Sequence, residues 1–334
     1  MEPQVGNSNS VVILATGGTI AGTAADASQS VGYTAAQLSV EQILAAVPGL
    51  AQLAGGALRS EQVAQLDSKD MDHATWTKLA RRCAYWLAQD EVRALVVTHG
   101  TDTLEETAWF VQQVLPRSAK PVVLTCAMRP ATALQADGPQ NLRDAVACAV
   151  DAQATGVLVV AGGQVHGARA VRKLHPYRLD AFSSAEQGVL GWVEEGRVRW
   201  QQRPQAGVDP LWRGDLAAFP MDGQWPWVEL LTSHVGSDGR VVDALLAQGV
   251  QGLVVAATGN GTLHRDLEPA LQRALQAGLP VWITTRCGEG QLVAAQEGLD
   301  AGPAGAGFLA VDLPPLKARI SLQLALLALA ARRS

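Results

Sequence analysis

A chain of 334 residues exceeds the roughly 250 to 300 residues at which single cores stop growing, so two domains are expected. With 48% hydrophobic and 17% charged residues it has the composition of a globular protein, which excludes a disordered or fibrous chain. A net charge of -5 argues against a general nucleic-acid binder and favours a small-molecule partner.

Residues 1–10 are polar and lack a positive region followed by an apolar one. The expected compartment is therefore the cytoplasm, with the periplasm as the alternative if a leader has been removed. Strand-like runs follow at 11–15, 94–98, 121–125 and 156–161, each separated by helical stretches, a pattern that predicts a mainly parallel α/β sheet. Several runs are continuously apolar, as strands covered on both faces should be, so the larger N-terminal domain is read as doubly wound. Between 203 and 227 the pattern breaks into Pro204, Pro210, Gly214, Pro220, Gly223 and Pro226. A linker is placed at 204–226, between an N-terminal catalytic domain of residues 1–203 and a smaller C-terminal α/β domain of residues 227–334. That second half carries predicted strands at 227–231, 252–256 and 279–284, a helix at 241–247 and a terminal helix at 316–333.

The apolar run at 320–331 falls short of the roughly 20 residues that cross a bilayer, and it contains Gln323, so no membrane span is predicted. Cys83, Cys126, Cys148 and Cys287 are widely spaced and read as free, mostly buried thiols of a reducing compartment. The six histidines form no close-spaced ligand set, and neither a metal nor a cofactor is expected.

Two loops draw attention by position. Thr16-Gly17-Gly18-Thr19 follows the first strand directly, and open parallel sheets bind ligands outside the carboxyl ends of their strands. Paired glycines let backbone N–H groups approach a ligand, and the hydroxyls of Thr16 and Thr19 flank them. Phosphate binding is one reading, yet neither G-x-G-x-x-G nor G-x-x-x-x-G-K-[ST] is present. The second loop, Thr98-His99-Gly100-Thr101-Asp102-Thr103, also joins a strand to a helix. Thr103 to Glu106 matches a capping box, which leaves Thr101 and Asp102 upstream in the loop. Taken alone, this loop fits a structural turn as well as a functional one, and His99 is expected to satisfy a loop hydrogen bond.

Together the two loops resemble the bacterial L-asparaginase family. The shared residues are Ala15-Thr16-Gly17-Gly18-Thr19-Ile20-Ala21-Gly22, Tyr33-Thr34, Gly100-Thr101-Asp102-Thr103, Ala127-Met128-Arg129-Pro130, Ala136-Asp137-Gly138-Pro139, Gly259-Asn260-Gly261 and Lys317-Ala318-Arg319. The resemblance implies that Thr19 is the nucleophile, with Tyr33 on a mobile loop to take or relay its proton. It further implies that Thr101, Asp102 and Lys173 support the proton traffic, a role that suits lysine when burial lowers its pKa. Backbone N–H groups at Gly18 and Thr101 would hold an oxyanion, with Gly100 in the same loop. Ser68 would grip the substrate α-carboxylate and Asp102 its α-ammonium.

The sequence departs from the family pattern at Lys69, where Gln or Glu is usual, and at Thr262, where Asn or Ser is usual. Lys69 either strengthens the grip on the α-carboxylate or points to solvent. A glutamate from a neighbouring subunit completes the family site, and Glu297 is its counterpart here, with Glu289 as the rival. The implied activity is hydrolysis of L-asparagine, with L-glutamine as a lesser substrate, in a homotetramer whose sites lie at subunit contacts. The alternatives are an amino-acid-binding protein with little turnover and, disfavoured by the acidic balance, an amidotransferase acting on transfer RNA.

Overall fold

Val11, Val12, Ile13 and Leu14 expose no surface at all, because the strand they form has helices on both sides. The computed structural model describes residues 10–28, 31–204, 209–220, 225–293 and 307–332. Its first unit carries, in order, β1 (Ser10–Gly17), α1 (Val40–Ala45), α2 (Leu50–Leu53), β2 (Leu58–Leu66), α3 (His73–Leu87), β3 (Val92–Thr98), α4 (Leu104–Val114), β4 (Val122–Thr125), α5 (Gly138–Val150) and β5 (Val157–Ala161). The short strands β6 (Gln164–Gly167), β7 (Arg172–Lys173), β8 (Phe182–Ser183), β9 (Gly191–Glu194) and β10 (Arg197–Trp200) follow.

The main sheet has the order β10-β9-β6-β5-β4-β3-β1-β2. From β2 across to β5 every pairing is parallel, while β6, β9 and β10 add an antiparallel edge. The sheet is therefore mainly parallel, as the sequence predicts. Val11, Ile13 and Ala15 share one apolar cluster with Val40, Ile43 and Leu50 of the first two helices and with Leu142 and Val146 of α5. Val12 and Leu14 alternate to the opposite face, the side left to α3 and α4.

The chain passes from β1 outward to β2 and then returns to β3 on the other side of β1. Strand order thus reverses between β1 and β3, the kind of crevice where open α/β sheets place ligands. The N-cap of α3 is Asp72, whose carboxylate accepts from the Thr75 N–H at 2.7 Å. Thr103 is the N-cap of α4, but the expected capping box does not form; the Thr103 hydroxyl accepts no local N–H and donates to the Ser68 carbonyl at 2.8 Å. A tie between two loops replaces a local cap.

The division between units falls between Pro210 and Leu211. Part of the stretch expected as linker is packed structure of the second unit. Trp212 meets Phe219 edge-on at 5.0 Å, and Phe219 meets Trp225 at 5.4 Å. Prolines there mark the absence of a helix or strand period, while the aromatics supply the burial.

The second unit carries β11 (Val228–Thr232), α6 (Arg240–Ala247), β12 (Gly252–Ala257), α7 (Glu268–Gln276), β13 (Val281–Thr285), β14 (Leu309–Ala310) and α8 (Pro315–Ala331). Its four strands run parallel in sequence order. Val242, Leu253, Val255, Leu271 and Ile283 form its core. No helix among the described residues is long and apolar enough to cross a membrane.

Candidate active site

Three loops at the carboxyl ends of β2, β1 and β3 touch one another through atoms that only glycine allows. A Cβ on Gly18, whose φ is +83°, would lie 2.4 Å from both Cα and N of Gly100. A Cβ on Gly100 would lie 2.4 Å from the Ser68 hydroxyl oxygen. Each of these glycines is followed directly by a threonine, so the contact sets Thr19 and Thr101 on neighbouring loops at the point where strand order reverses.

The two N-terminal threonines separate cleanly. Thr16 lies within β1 and its hydroxyl donates to the Thr98 carbonyl at 3.0 Å, which ties it into the sheet. Thr19 opens the short helical turn Thr19–Ala21, and its hydroxyl lies 2.6 Å from the Tyr33 hydroxyl. Tyr33 is held by the antiparallel bridge between Thr23 and Thr34, with both N–H···O bonds at 2.9 Å. Its ring also packs on Gly22, where an added Cβ would meet Cδ2 at 3.0 Å. Burial raises the Tyr33 pKa above the ordinary value, opposed by the Thr19 hydrogen bond and reinforced by the carboxylates of Asp67 and Asp102. The phenol therefore keeps its proton at neutral pH.

Around Thr101 the partner is a cation. Lys173 Nζ donates to the Thr101 hydroxyl at 2.8 Å and to Asp102 Oδ1 at 2.5 Å. The Lys173 side chain is 16% exposed against 53% for Asp102, so the lysine is enclosed and the carboxylate faces outward. Glu105 contributes from α4, accepting the Lys173 backbone N–H at 2.6 Å. Ser68 is buried and its oxygen accepts from the Asp102 N–H at 3.2 Å, which leaves its own proton to donate elsewhere.

Gly18 keeps its steric role but not the donor role expected of it, because its N–H is committed to the Leu66 carbonyl at 2.9 Å. Among the described residues, the N–H groups of Thr19 and Thr101 have no protein acceptor. They are two backbone donors available at this end of the sheet.

A fully buried chain of polar groups backs the second loop. Trp76 Nε1 donates to the Thr107 hydroxyl at 2.8 Å, Thr107 lies 2.9 Å from His99 Nε2, and His99 Nδ1 lies 2.7 Å from the Gly100 carbonyl. Burial pushes the His99 pKa down to about 4, so the ring is neutral. On the other side, Asp137 accepts the N–H groups of Met128 and Arg129, both at 2.9 Å, and so shapes the turn before α5.

Other expected residues have contacts of their own. Lys69 is 60% exposed and pairs with Asp70 at 2.6 Å and Asp67 at 3.4 Å, all within its own turn. In the second unit, the Thr262 hydroxyl donates to the Thr258 carbonyl at 3.0 Å, closing the turn around Gly259-Asn260-Gly261. Glu289 is exposed, and Glu297 lies outside the described residues. Three of the cysteines are buried and free, and Cys287 is exposed and free. Among the described residues, no group of three or more His, Cys, Asp or Glu is arranged to hold a metal ion.

Thr132 is a residue that sequence reasoning missed. Its hydroxyl accepts the Ala24 N–H at 2.8 Å, while the Ala131 N–H reaches the Gly22 carbonyl at 2.9 Å and the Leu134 N–H the Ala27 carbonyl at 3.0 Å. These bonds brace the segment that bridges to Tyr33. A lone threonine in a loop 108 positions from its partner carries no local signal of such a contact.

Known proteins match nearly the whole length of the chain. The N-terminal asparaginase family model covers residues 10–206, and the glutaminase/asparaginase C-terminal domain model covers residues 227–331. Over 320 residues the chain is 37% identical to a glutaminase-asparaginase of Pseudomonas fluorescens biotype A, spanning 95% of this chain and 86% of that protein. It is 36% identical over 317 residues to L-asparaginase 2 of Bacillus subtilis (strain 168), spanning 94% and 81%. The crystal structure of a probable cytoplasmic L-asparaginase from Campylobacter jejuni superposes with a TM-score of 0.86 at 36% identity, covering 96% of this chain and 95% of that one. With both family models matched in order on one α/β chain, and with relatives of this identity over nearly its whole length, the chain belongs to the asparaginase family.

Proposed function

We propose that this chain hydrolyses the side-chain amide of L-asparagine to L-aspartate and ammonia through an acyl-enzyme on Thr19, with L-glutamine as a slower substrate. The observation that carries this reading is the 2.6 Å Thr19–Tyr33 pair set beside the Lys173–Thr101–Asp102 group by the Gly18–Gly100 contact.

Thr19 Oγ1 attacks the amide carbonyl carbon, and the carbonyl electrons move to oxygen. The Thr19 proton passes to the Tyr33 oxygen as Tyr33 releases its own proton toward the leaving nitrogen, a relay that requires a phenol protonated at rest. The N–H groups of Thr19 and Thr101 hold the oxyanion, replacing the expected pair with Gly18. The C–N bond then breaks, ammonia leaves, and water cleaves the resulting ester by the reverse proton path, restoring Thr19. Ser68 donates to the α-carboxylate, and the outward oxygen of Asp102 pairs with the α-ammonium while Lys173 holds the other. Lys173 polarises Thr101, and Glu105 fixes the lysine backbone. The ammonium of Lys69 is spent on Asp67 and Asp70, so its part in binding is small.

As a working assembly, a homotetramer with sites at subunit contacts is proposed on the resemblance, with a glutamate at Glu297 or Glu289 reaching a neighbour's site. The cytoplasm is the proposed compartment, in keeping with free thiols. Ammonia release from L-asparagine and L-glutamine is the deciding measurement. Binding without release by the native chain would replace this reading with that of an amino-acid binder.

A further inference from the structure

The buried chain from Trp76 to Gly100 has a direction that its chemistry dictates. An indole N–H only donates and a carbonyl oxygen only accepts. The Thr107 hydroxyl therefore accepts from Trp76 at 2.8 Å and gives its proton to His99 Nε2 at 2.9 Å. His99 is left with its proton on Nδ1, which donates to the Gly100 carbonyl at 2.7 Å. His99 and Thr107 expose no surface, and Trp76 only 5%, so water does not compete for these bonds.

The consequence lies in one peptide plane. The carbonyl of Gly100 and the N–H of Thr101 belong to the same planar unit and, in a trans peptide, point in opposite directions; the described chain has no cis peptide. Whatever grips the Gly100 oxygen from the protein interior also aims the Thr101 N–H away from it. That N–H has no protein acceptor among the described residues. We infer that His99 is a positioning residue that orients the Gly100–Thr101 peptide so that the Thr101 N–H faces the developing oxyanion. This deepens the reading of the site given above and rests on it. Trp76 on α3 and Thr107 on α4 select the tautomer, so two helices packed on the sheet fix the direction of one donor at its carboxyl end.

The test joins a tautomer measurement on the native chain to two pairs of variants. In protein labelled with ¹⁵N-histidine, one ring should carry its proton on Nδ1, fail to titrate between about pH 5 and 8, and vanish from the spectrum in His99→Asn. A proton on Nε2, or titration in that range, would overturn the inference. His99→Leu removes the donor and should lower kcat for ammonia release by about 10- to 100-fold with KM changed less than about twofold, since one oxyanion donor is worth on the order of 100-fold or more. Asparagine carries a side-chain N–H on the atom corresponding to the imidazole attachment, so His99→Asn should return to within about threefold of the native kcat. Equal kcat in the Leu and Asn variants, or a native kcat in His99→Leu while Thr19→Ala is inactive, would overturn the positioning role alone. Undiminished ammonia release in Thr19→Ala with the Nδ1 tautomer intact would instead overturn the acyl-enzyme reading. Should both His99 variants fail to unfold cooperatively, Thr107→Val against Thr107→Ser decides. The first should weaken kcat and disturb the tautomer, the second should restore both, and identical behaviour of the two counts against the inference.

Discussion

Thr19 and Thr101 occupy equivalent places and do different things. Each follows a glycine at the carboxyl end of one of two adjacent strands, each is 6% exposed, and their glycines touch. The hydroxyl of Thr19 faces a phenol, and that of Thr101 faces a lysine nitrogen which it shares with Asp102. A phenol both accepts and donates, so it can take a proton from its neighbour while passing on another. An ammonium only donates, so it holds Thr101 as an acceptor. Backbone placement makes both threonines available, and on the proposed reading the side-chain partner decides which acts as the nucleophile.

The comparison is broken most directly by removing the Thr19 hydroxyl or the Lys173 ammonium. Thr19→Ala should lower ammonia release from L-asparagine by at least about 1,000-fold while aspartate binding by calorimetry persists, as loss of a nucleophile requires. Native-like turnover would move the nucleophile to Thr101. Lys173→Met removes the cation from Thr101 and Asp102 and should cost on the order of 100-fold in kcat; a rate near that of the native chain would show that Thr101 needs no charged partner.

Tyr33→Phe should cost roughly 10- to 100-fold in kcat, within the range of a lost proton-transfer partner. Its pH profile sharpens the point. Because burial raises the Tyr33 pKa, the phenol stays protonated through neutrality, and its ionisation should depress kcat/KM only above the ordinary tyrosine value of about 10. A decline that begins below about pH 9 and disappears in Tyr33→Phe would contradict a resting phenol.

Smaller effects come from residues one contact away. Thr132→Val deletes the hydroxyl that accepts the Ala24 N–H and should lower kcat by about three- to tenfold, as expected for one lost hydrogen bond. The same substitution should have no further effect in a Tyr33→Phe background, and an additive loss there would show that Thr132 does not act through Tyr33. Lys69→Gln should shift KM for L-asparagine by less than about threefold, since exposed ion pairs are weak. A larger rise in KM would place the ammonium on the substrate carboxylate.

Legibility followed burial and spacing. Continuous apolar runs announced β1, β3, β4 and β5, because strands covered on both faces need no polar side. β2 was not read, since Leu58–Leu66 is an edge strand with only Val63 buried and a polar composition. The antiparallel β6, β9 and β10 are four residues each, too short for a period to register. The capping box at Thr103 did not form: the hydroxyl makes no local cap bond and is turned to the Ser68 carbonyl, a partner far away in sequence. Glu105 and Asp137 stood in quoted motifs without a role, and only their contacts with Lys173 and the Met128–Arg129 backbone assign one.

What the amino-acid sequence determined by itself was the class of fold and the two loops at strand ends; through its resemblance it also supplied the expected roster of chemical groups. Those follow from local periodicity and from residue identity, which need no neighbours. Which backbone N–H groups remain unspent, and which buried groups hold the histidine at the end of β3, were decided by the tertiary structure alone. Each depends on atoms brought together across dozens of residues, and a hydrogen bond depends on distance and direction rather than on order along the chain.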